Sequence, residues 1–276
     1  MTNQQSAFTT LTAAEVTAVA PWLVDDPHNC HFYHTMEIPS AGLFEGHVDL
    51  RPGVQAYLGD ISLAGQRVLE VGPASGFLTF YMEQAGAEVV ALEVPDDEPL
   101  EMVPQPDLDL EAIYCDRIAH MQAIKRGFWF AHRHYDSRVQ VYSGHADRLP
   151  TAMGRFDVTI LGGVLLHCQN PMAVLRACSA VTDGAIVITE QAHPALMRTP
   201  KAPLCWFAPS RANRIWDVWW RFSPGFIVQA LELLGWHELT WSTHDQLSQG
   251  QAYQHFTVVG RNRVQSRCDV SASHTC

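Results

Sequence analysis

Along the chain, short apolar runs alternate with longer stretches of helical spacing. Val68 to Val71, Ala87 to Glu93, Val139 to Tyr142, Arg155 to Leu161 and Gly184 to Glu190 read as strands. Runs this apolar suit strands covered on both faces, as in parallel sheets. Between them, Phe77 to Gln84 is amphipathic, and Ala112 to His132 carries Ile113, Ile118, Met121, Ile124 and Phe128 on one stripe. Asn170-Pro171 starts a helix to about Val181, with Asn as cap and Pro in the first turn. Ser223-Pro224 repeats that signal for a helix to Leu234, ended by Gly235. Residues 236–242 and 253–260 read as an antiparallel closing pair. Nearer the start, Thr12 to Val24 predicts a short helix with a capping box at Thr12 and Glu15. Arg51 to Gly59 predicts another. Strands alternating with helices predict an α/β architecture with a mostly parallel sheet.

Two stretches interrupt this alternation. Residues 95–111 are acidic and proline-rich, so no regular helix forms there and a surface excursion is expected. Residues 194–222 carry Pro194, Pro200, Pro203 and Pro209 together with Trp206, Phe207, Trp216, Trp219, Trp220 and four arginines. That composition suits an irregular aromatic insert. No Gly/Ser linker or internal repeat divides the chain. It reads as one domain over 1–263, with an N-terminal cap over 1–60, the insert over 194–222 and a disordered tail over 264–276.

Composition narrows the function. The formal charge is −11, with Lys125 and Lys201 as the two lysines, and such a surface repels phosphate backbones. A broad nucleic-acid footprint is therefore not expected. No apolar run reaches the roughly 18 residues of a membrane span. The start, Met1 to Thr10, lacks the pattern of a signal peptide. Seven cysteines without a C-x-x-C pair suggest buried, reduced thiols and a cytoplasmic location. His28, His31 and His34 recur at three-residue spacing, yet Pro27 and Pro39 hem the segment in and no acid is spaced with them. A metal site is not expected.

The chemistry concentrates where the first parallel strand ends. Gly72-Pro73-Ala74-Ser75-Gly76 makes a tight turn between strand and helix, the unit that holds a nucleotide at the carboxyl edge of a sheet. The three-glycine spacing that admits a pyrophosphate is absent. Glu70 at the strand end instead suits a cation. Glu93 ends the next strand, where an acid about 20 residues after the loop accepts hydrogen bonds from ribose hydroxyls.

Acidic-x-Gly-x-x-x-Gly over Glu70, Gly72 and Gly76 resembles motif I of the class I S-adenosylmethionine (SAM) methyltransferases. That resemblance implies a seven-stranded, mostly parallel Rossmann-like sheet with helices on both faces and the last strand antiparallel. It also implies SAM as cofactor, held by Glu70, Gly72, Pro73, Ser75, Gly76 and Glu93. Ser143 to Asp147 aligns with the stretch that contacts adenine in that family, placing His145 and Ala146 there. Residues 32–39, Phe-Tyr-His-Thr-Met-Glu-Ile-Pro, are similar to a segment of the tRNA wobble-uridine carboxymethyltransferases and their relatives. Gly65 to Gly72 and Gly76 to Phe80 resemble the same subgroup, as do Phe156 to Val158 and Gly163 to His167. In such proteins the Tyr-His segment folds back over the cofactor, which implicates Tyr33 and His34. Gly162 to His167 would form the pocket floor.

Proton removal from an acceptor oxygen, nitrogen or sulfur needs a base, and His34, His167, Glu190 and His193 are the candidates. A thioether or tertiary amine would need none. Trp206, Trp219 and Arg214 of the insert are expected to bind the substrate, by cation–π contact or by clamping a carboxylate. The partner expected is a small molecule, such as an amino acid or another carboxylate-bearing metabolite; a homodimer stays open. Two alternatives remain. One is a tRNA-modifying enzyme using SAM or its carboxylated form, for which Arg117, Lys125, Arg126, Arg133 and Arg138 supply a basic cluster. The other is a non-catalytic partner subunit of the same fold.

Overall fold

The computed structural model describes residues 17–98, 101–149 and 153–263. In chain order the strands are β1 (Thr17–Ala18), β2 (Met36–Ile38), β3 (Gly42–Phe44), β4 (Val48–Asp49), β5 (Arg67–Val71), β6 (Glu88–Glu93) and β7 (Gln140–Ser143). There follow β8 (Phe156–Gly162), β9 (Thr182–Gln191), β10 (Cys205–Phe207), β11 (Trp220–Phe222), β12 (Trp236–Ser248) and β13 (Gln251–Arg263). The helices are α1 (Val54–Tyr57), α2 (Phe77–Gln84), α3 (Leu110–His134), α4 (Pro171–Val181) and α5 (Pro224–Leu233).

The main sheet runs β1-β7-β6-β5-β8-β9-β13-β12-β4. Strands β7, β6, β5, β8 and β9 pair in parallel, and β13 lies antiparallel between β9 and β12. The parallel core and the reversed last strand match the expected class. The strand number does not: two short edge strands widen the sheet to nine. Strand β1 adds to β7 and β4 adds to β12, each through two residue pairs. Strands this short carry too few alternating positions to show in a hydrophobic pattern.

Successive residues of each strand divide between two cores. Val68, Ile160 and Val187 face Phe80, Phe128 and Phe130 of α2 and α3. Leu69, Leu161 and Ile188 face Leu175, Ile227 and Leu231 of α4 and α5. Asn170 and Ser223 cap α4 and α5 as expected, accepting from Ala173 and Phe226.

Four segments depart from expectation. The helix expected over Thr12 to Val24 is absent where described: Thr17–Ala18 is a strand, and the Val19 N–H donates to the Val141 carbonyl at 2.8 Å. The free edge of β7 satisfies these backbone groups, and Pro21 two residues on would interrupt a helix. Residues 12–16 and the tail over 264–276 lie outside the described residues. The acidic stretch is pinned rather than merely solvated. Val103 N–H donates to the Trp216 carbonyl at 2.7 Å and Gln105 Nε2 to the Ile215 carbonyl at 2.8 Å, both in the insert. The insert itself contains an antiparallel ribbon, β10 against β11. Finally, β12 and β13 outrun the expected pair. Their two-residue turn, Gln249-Gly250, has φ of 49° and 75°, the doubly left-handed geometry of a tight hairpin.

Candidate functional site

At the carboxyl ends of β5, β6, β7 and β8 the chain leaves a cleft of about 860 Å³. This is the edge where ligands bind in open parallel sheets. The glycine turn supplies its floor. Gly72 has φ of 72°, and a Cβ there would come within 3.1 Å of Val164. Ala74 adopts φ of 49° without a glycine's freedom, and Gly76 caps α2 at φ of 91°. Gly72 and Ala74 line the cleft with Val71, Leu92 and Val94. Pro73 faces a small adjoining recess together with Glu93 and Tyr142.

Glu93 lines the cleft at the end of β6 and is 9% exposed. Burial raises its carboxyl above the usual range, against the opposing pull of Lys125. One oxygen accepts the Val94 N–H at 2.8 Å. Lys125 is spent nearby: its Nζ donates to the Val94 carbonyl at 2.6 Å and to Asp96 at 2.8 Å. His145, Ala146 and Asp147 line the cleft after β7, and His145 Nε2 sits 2.9 Å from Glu98. Gly162, the last residue of β8, lines it too, and a Cβ there would stand 2.8 Å from the Tyr57 ring.

Glu70 lies elsewhere. It is 2% exposed, is not part of the cleft wall and accepts the Thr79 hydroxyl from α2. Burial pushes its carboxyl up to about 8. Ser75 is fully buried, and its Oγ accepts the His34 N–H at 3.2 Å. That bond ties the N-terminal segment to the glycine turn. Thr35 N–H to the Val48 carbonyl at 2.8 Å and Val48 N–H to the Tyr33 carbonyl at 3.1 Å hold the same segment from its other side. Tyr33 and His34 thereby form a wall of the cleft. Burial lowers the His34 pKa to about 4, and its buried Nδ1 has no hydrogen-bond partner among the described residues.

His167 stands in a single helical turn after β8 and lines the cleft. Three contacts fix that turn. The Glu190 carboxylate accepts the Leu165 N–H at 2.9 Å, Trp219 N–H donates to the Leu166 carbonyl at 2.8 Å, and His167 Nδ1 donates to the Asp217 carbonyl. With its proton on Nδ1, the neutral ring leaves Nε2 as an acceptor. Burial lowers the His167 pKa against the opposing hydrogen bond and charge of Asp217, with smaller help from the Arg117 and Arg221 guanidinium groups.

Glu190 itself is 2% exposed and is not part of the cleft wall; burial pushes it up to about 8. His193 packs edge-on against Trp206 with ring centroids 4.6 Å apart, outside the cleft. Trp206 and Arg214 are solvent-exposed and also outside it. Trp219 is buried, with its indole N–H on the Glu101 carbonyl at 2.9 Å. The insert reaches the cleft through Asp217 and Arg221 instead. Composition flagged the insert, but not which of its side chains reach the cleft.

The sequence reading missed His120, Tyr57 and His255 as cleft residues and gave His31 and Arg117 other roles. Arg117 and His120 share one side of α3, three residues apart, and the spacing signals that they neighbour each other. The spaced histidines scatter: His28 is exposed on Asp26, while His31 meets His120 at 4.5 Å between ring centroids. Among the described residues no three His, Cys, Asp or Glu side chains are placed to hold a metal ion. The basic cluster scatters too. Lys125 is buried, Arg133 pairs with Asp25, and Arg117 faces the cleft.

Comparison with known proteins agrees with this geometry. No family model matches the chain. It is 30% identical over 144 residues to the ubiquinone biosynthesis O-methyltransferase of Xanthomonas euvesicatoria pv. vesicatoria (strain 85-10), covering 51% of this chain and 48% of that protein. The protein of the same name from Bordetella avium (strain 197N) is 27% identical over 143 residues, 51% and 47%. The chain thus spans about half the length of the curated relatives it matches. The solved N-terminal domain of EvdMO1, in the presence of SAH and D-fucose, superposes with a TM-score of 0.52 at 19% identity, over 84% of this chain and 91% of that one. The chain has the Rossmann-like fold of the class I methyltransferases. No helix among the described residues is long and apolar enough to cross a membrane.

Proposed function

We propose that the chain is a SAM-dependent methyltransferase acting on a small molecule. One observation carries this reading. The left-handed Gly72–Ala74 turn, the strand-end Glu93, the His145–Ala146 loop and His167 all line one cleft. The names of the O-methyltransferase relatives and the SAH present with EvdMO1 support the same reading.

The residues present fit such a cofactor. Glu93 would take the ribose hydroxyls, the open backbone at Gly72 and Ala74 would lie beside the sugar, and Ala146 with Val94 would flank the adenine. When bound, SAM supplies a methyl group already activated by its sulfonium. The protein's work is then positioning, exclusion of water and proton removal. His167 is oriented for the last task, because its Nδ1 is committed to Asp217 and Nε2 can receive the acceptor proton. Tyr33 and His34, tied to the glycine turn, would cover the reacting groups. Glu190 acts one step back, holding the His167 turn through the Leu165 N–H.

Incubation with methyl-tritiated SAM tests this. Label should enter a small, solvent-extractable product from a metabolite extract. Label appearing in tRNA, or in no product while SAH fails to bind, would overturn the reading.

A further inference from the structure

The acceptor's chemistry is legible in two arginines the fold brings together from distant segments. Arg117 comes from the first turns of α3 and Arg221 from β11 in the insert. Both line the cleft. Both are near enough to act electrostatically on His167, and Arg117 acts in the same way on Tyr33 and His120.

Their bonding is incomplete. Arg117 Nε is buried, yet nothing among the described residues accepts from it. Arg221 makes one long contact, Nη1 to Gln191 Oε1 at 3.3 Å. Among the described residues neither forms an ion pair within 4.0 Å. In a chain of net charge −11, two guanidinium groups left unpaired beside the candidate base are a conspicuous arrangement. A buried donor left without an acceptor destabilises the protein, and a ligand that accepts from it returns that loss. A planar fork of donors matches a carboxylate better than any neutral group.

We propose that Arg117 and Arg221 form a carboxylate-binding subsite, so that the acceptor is an organic acid whose nucleophilic atom is presented to His167. This deepens the methyltransferase reading above and rests on it. Asp217 lies on the same wall, close enough to influence both Tyr33 and His167. Its negative charge would repel a second acidic group, and the subsite therefore selects a single carboxylate. The subsite uses cleft-facing residues, not the exposed Arg214.

The test is calorimetric titration of the SAH-saturated full chain with benzoate and with its neutral isostere benzamide. Benzoate should bind at least tenfold more tightly. Arg117→Met and Arg221→Met should each weaken benzoate tenfold or more while SAH affinity stays within twofold. Arg117→Lys, which keeps the charge and loses the fork, should fall between. Equal binding of benzoate and benzamide by the wild-type protein would overturn the proposal without any variant having to fold. Loss of SAH affinity in Arg117→Met would also overturn it, because the guanidinium would then belong to the cofactor's own carboxylate. Should wild-type protein fail to bind SAH, the methyl-donor reading fails, and the same benzoate comparison on the free protein still decides the subsite.

Discussion

One wall of the cleft comes from neighbouring strand ends of a single sheet; the other is gathered from the N-terminal segment, α3, the insert and the long hairpin. On the first wall each contact group is short and local: Gly72 and Ala74, Glu93, His145 to Asp147, Gly162 to Val164. On the second, His31 and Tyr33 meet Arg117, Asp217, Arg221 and His255 across large stretches of sequence. A parallel sheet fixes where strand ends go, so the first wall is a property of the fold. The second depends on pairings that no local pattern encodes. On the proposed reading, the same scaffold can therefore keep its donor and change its acceptor.

The largest effect expected falls between the two walls. His167→Gln should lower turnover by about 10²–10⁴-fold, the usual worth of a general base, with SAH affinity unchanged. A matching loss of SAH binding would move His167 to the donor wall. The wild-type pH profile sharpens this. Burial disfavours the imidazolium, so the neutral base persists below pH 6.5, and activity should fall only on further acidification. A midpoint at or above 6.5 would contradict that environment.

Next in size is Gly72→Val on the donor wall. Its left-handed φ and the crowding against Val164 should cost about 1–3 kcal/mol, weakening SAH about tenfold to a hundredfold. Acceptor KM at saturating SAM should hardly move. If both constants changed together, the walls would not be separable.

How far each wall was legible in advance follows from the same contrast. Glycines, strand-end acids and Asn-Pro or Ser-Pro helix starts act within a few residues, and the elements built on them appear where the pattern puts them. The two added edge strands were invisible, because two residue pairs carry no periodicity. Trp206, Trp219 and Arg214 stood out by composition, but Trp206 and Arg214 are exposed outside the cleft, Trp219 is buried beside it, and the cleft receives Arg221 instead. Glu70 and Glu190 stood at strand ends as expected, yet Thr79 and the Leu165 N–H claim their oxygens.

A smaller effect tests the seam between the walls. Ser75→Ala removes the acceptor of the His34 N–H, a loss of about 1 kcal/mol. Acceptor KM should rise about fivefold, measured by steady-state kinetics, with SAH affinity nearly constant.

Smallest is a stability effect. Glu70 is raised to about 8 from its ordinary value of 4.5, so the folded state favours the protonated acid. Its contribution is fully present below pH 4.5 and is lost as pH rises through about 8. Glu70→Gln should therefore lessen the drop in Tm between pH 6 and pH 9 by a few degrees, at about 2–4 °C per kcal/mol. An unchanged drop in thermal melts would show that Thr79 keeps the carboxylate ionised.

Calorimetric titration of SAH into the wild-type chain and into Glu93→Ala reaches the central claim most directly. One molecule should bind per chain, and removal of the carboxylate should weaken it about tenfold to a hundredfold, the worth of about 1.5–3 kcal/mol for hydrogen bonds to a charged group. No heat from the wild-type protein, or identical affinity in the variant, would mean that the wall built by Gly72 and Glu93 does not hold an adenosyl donor.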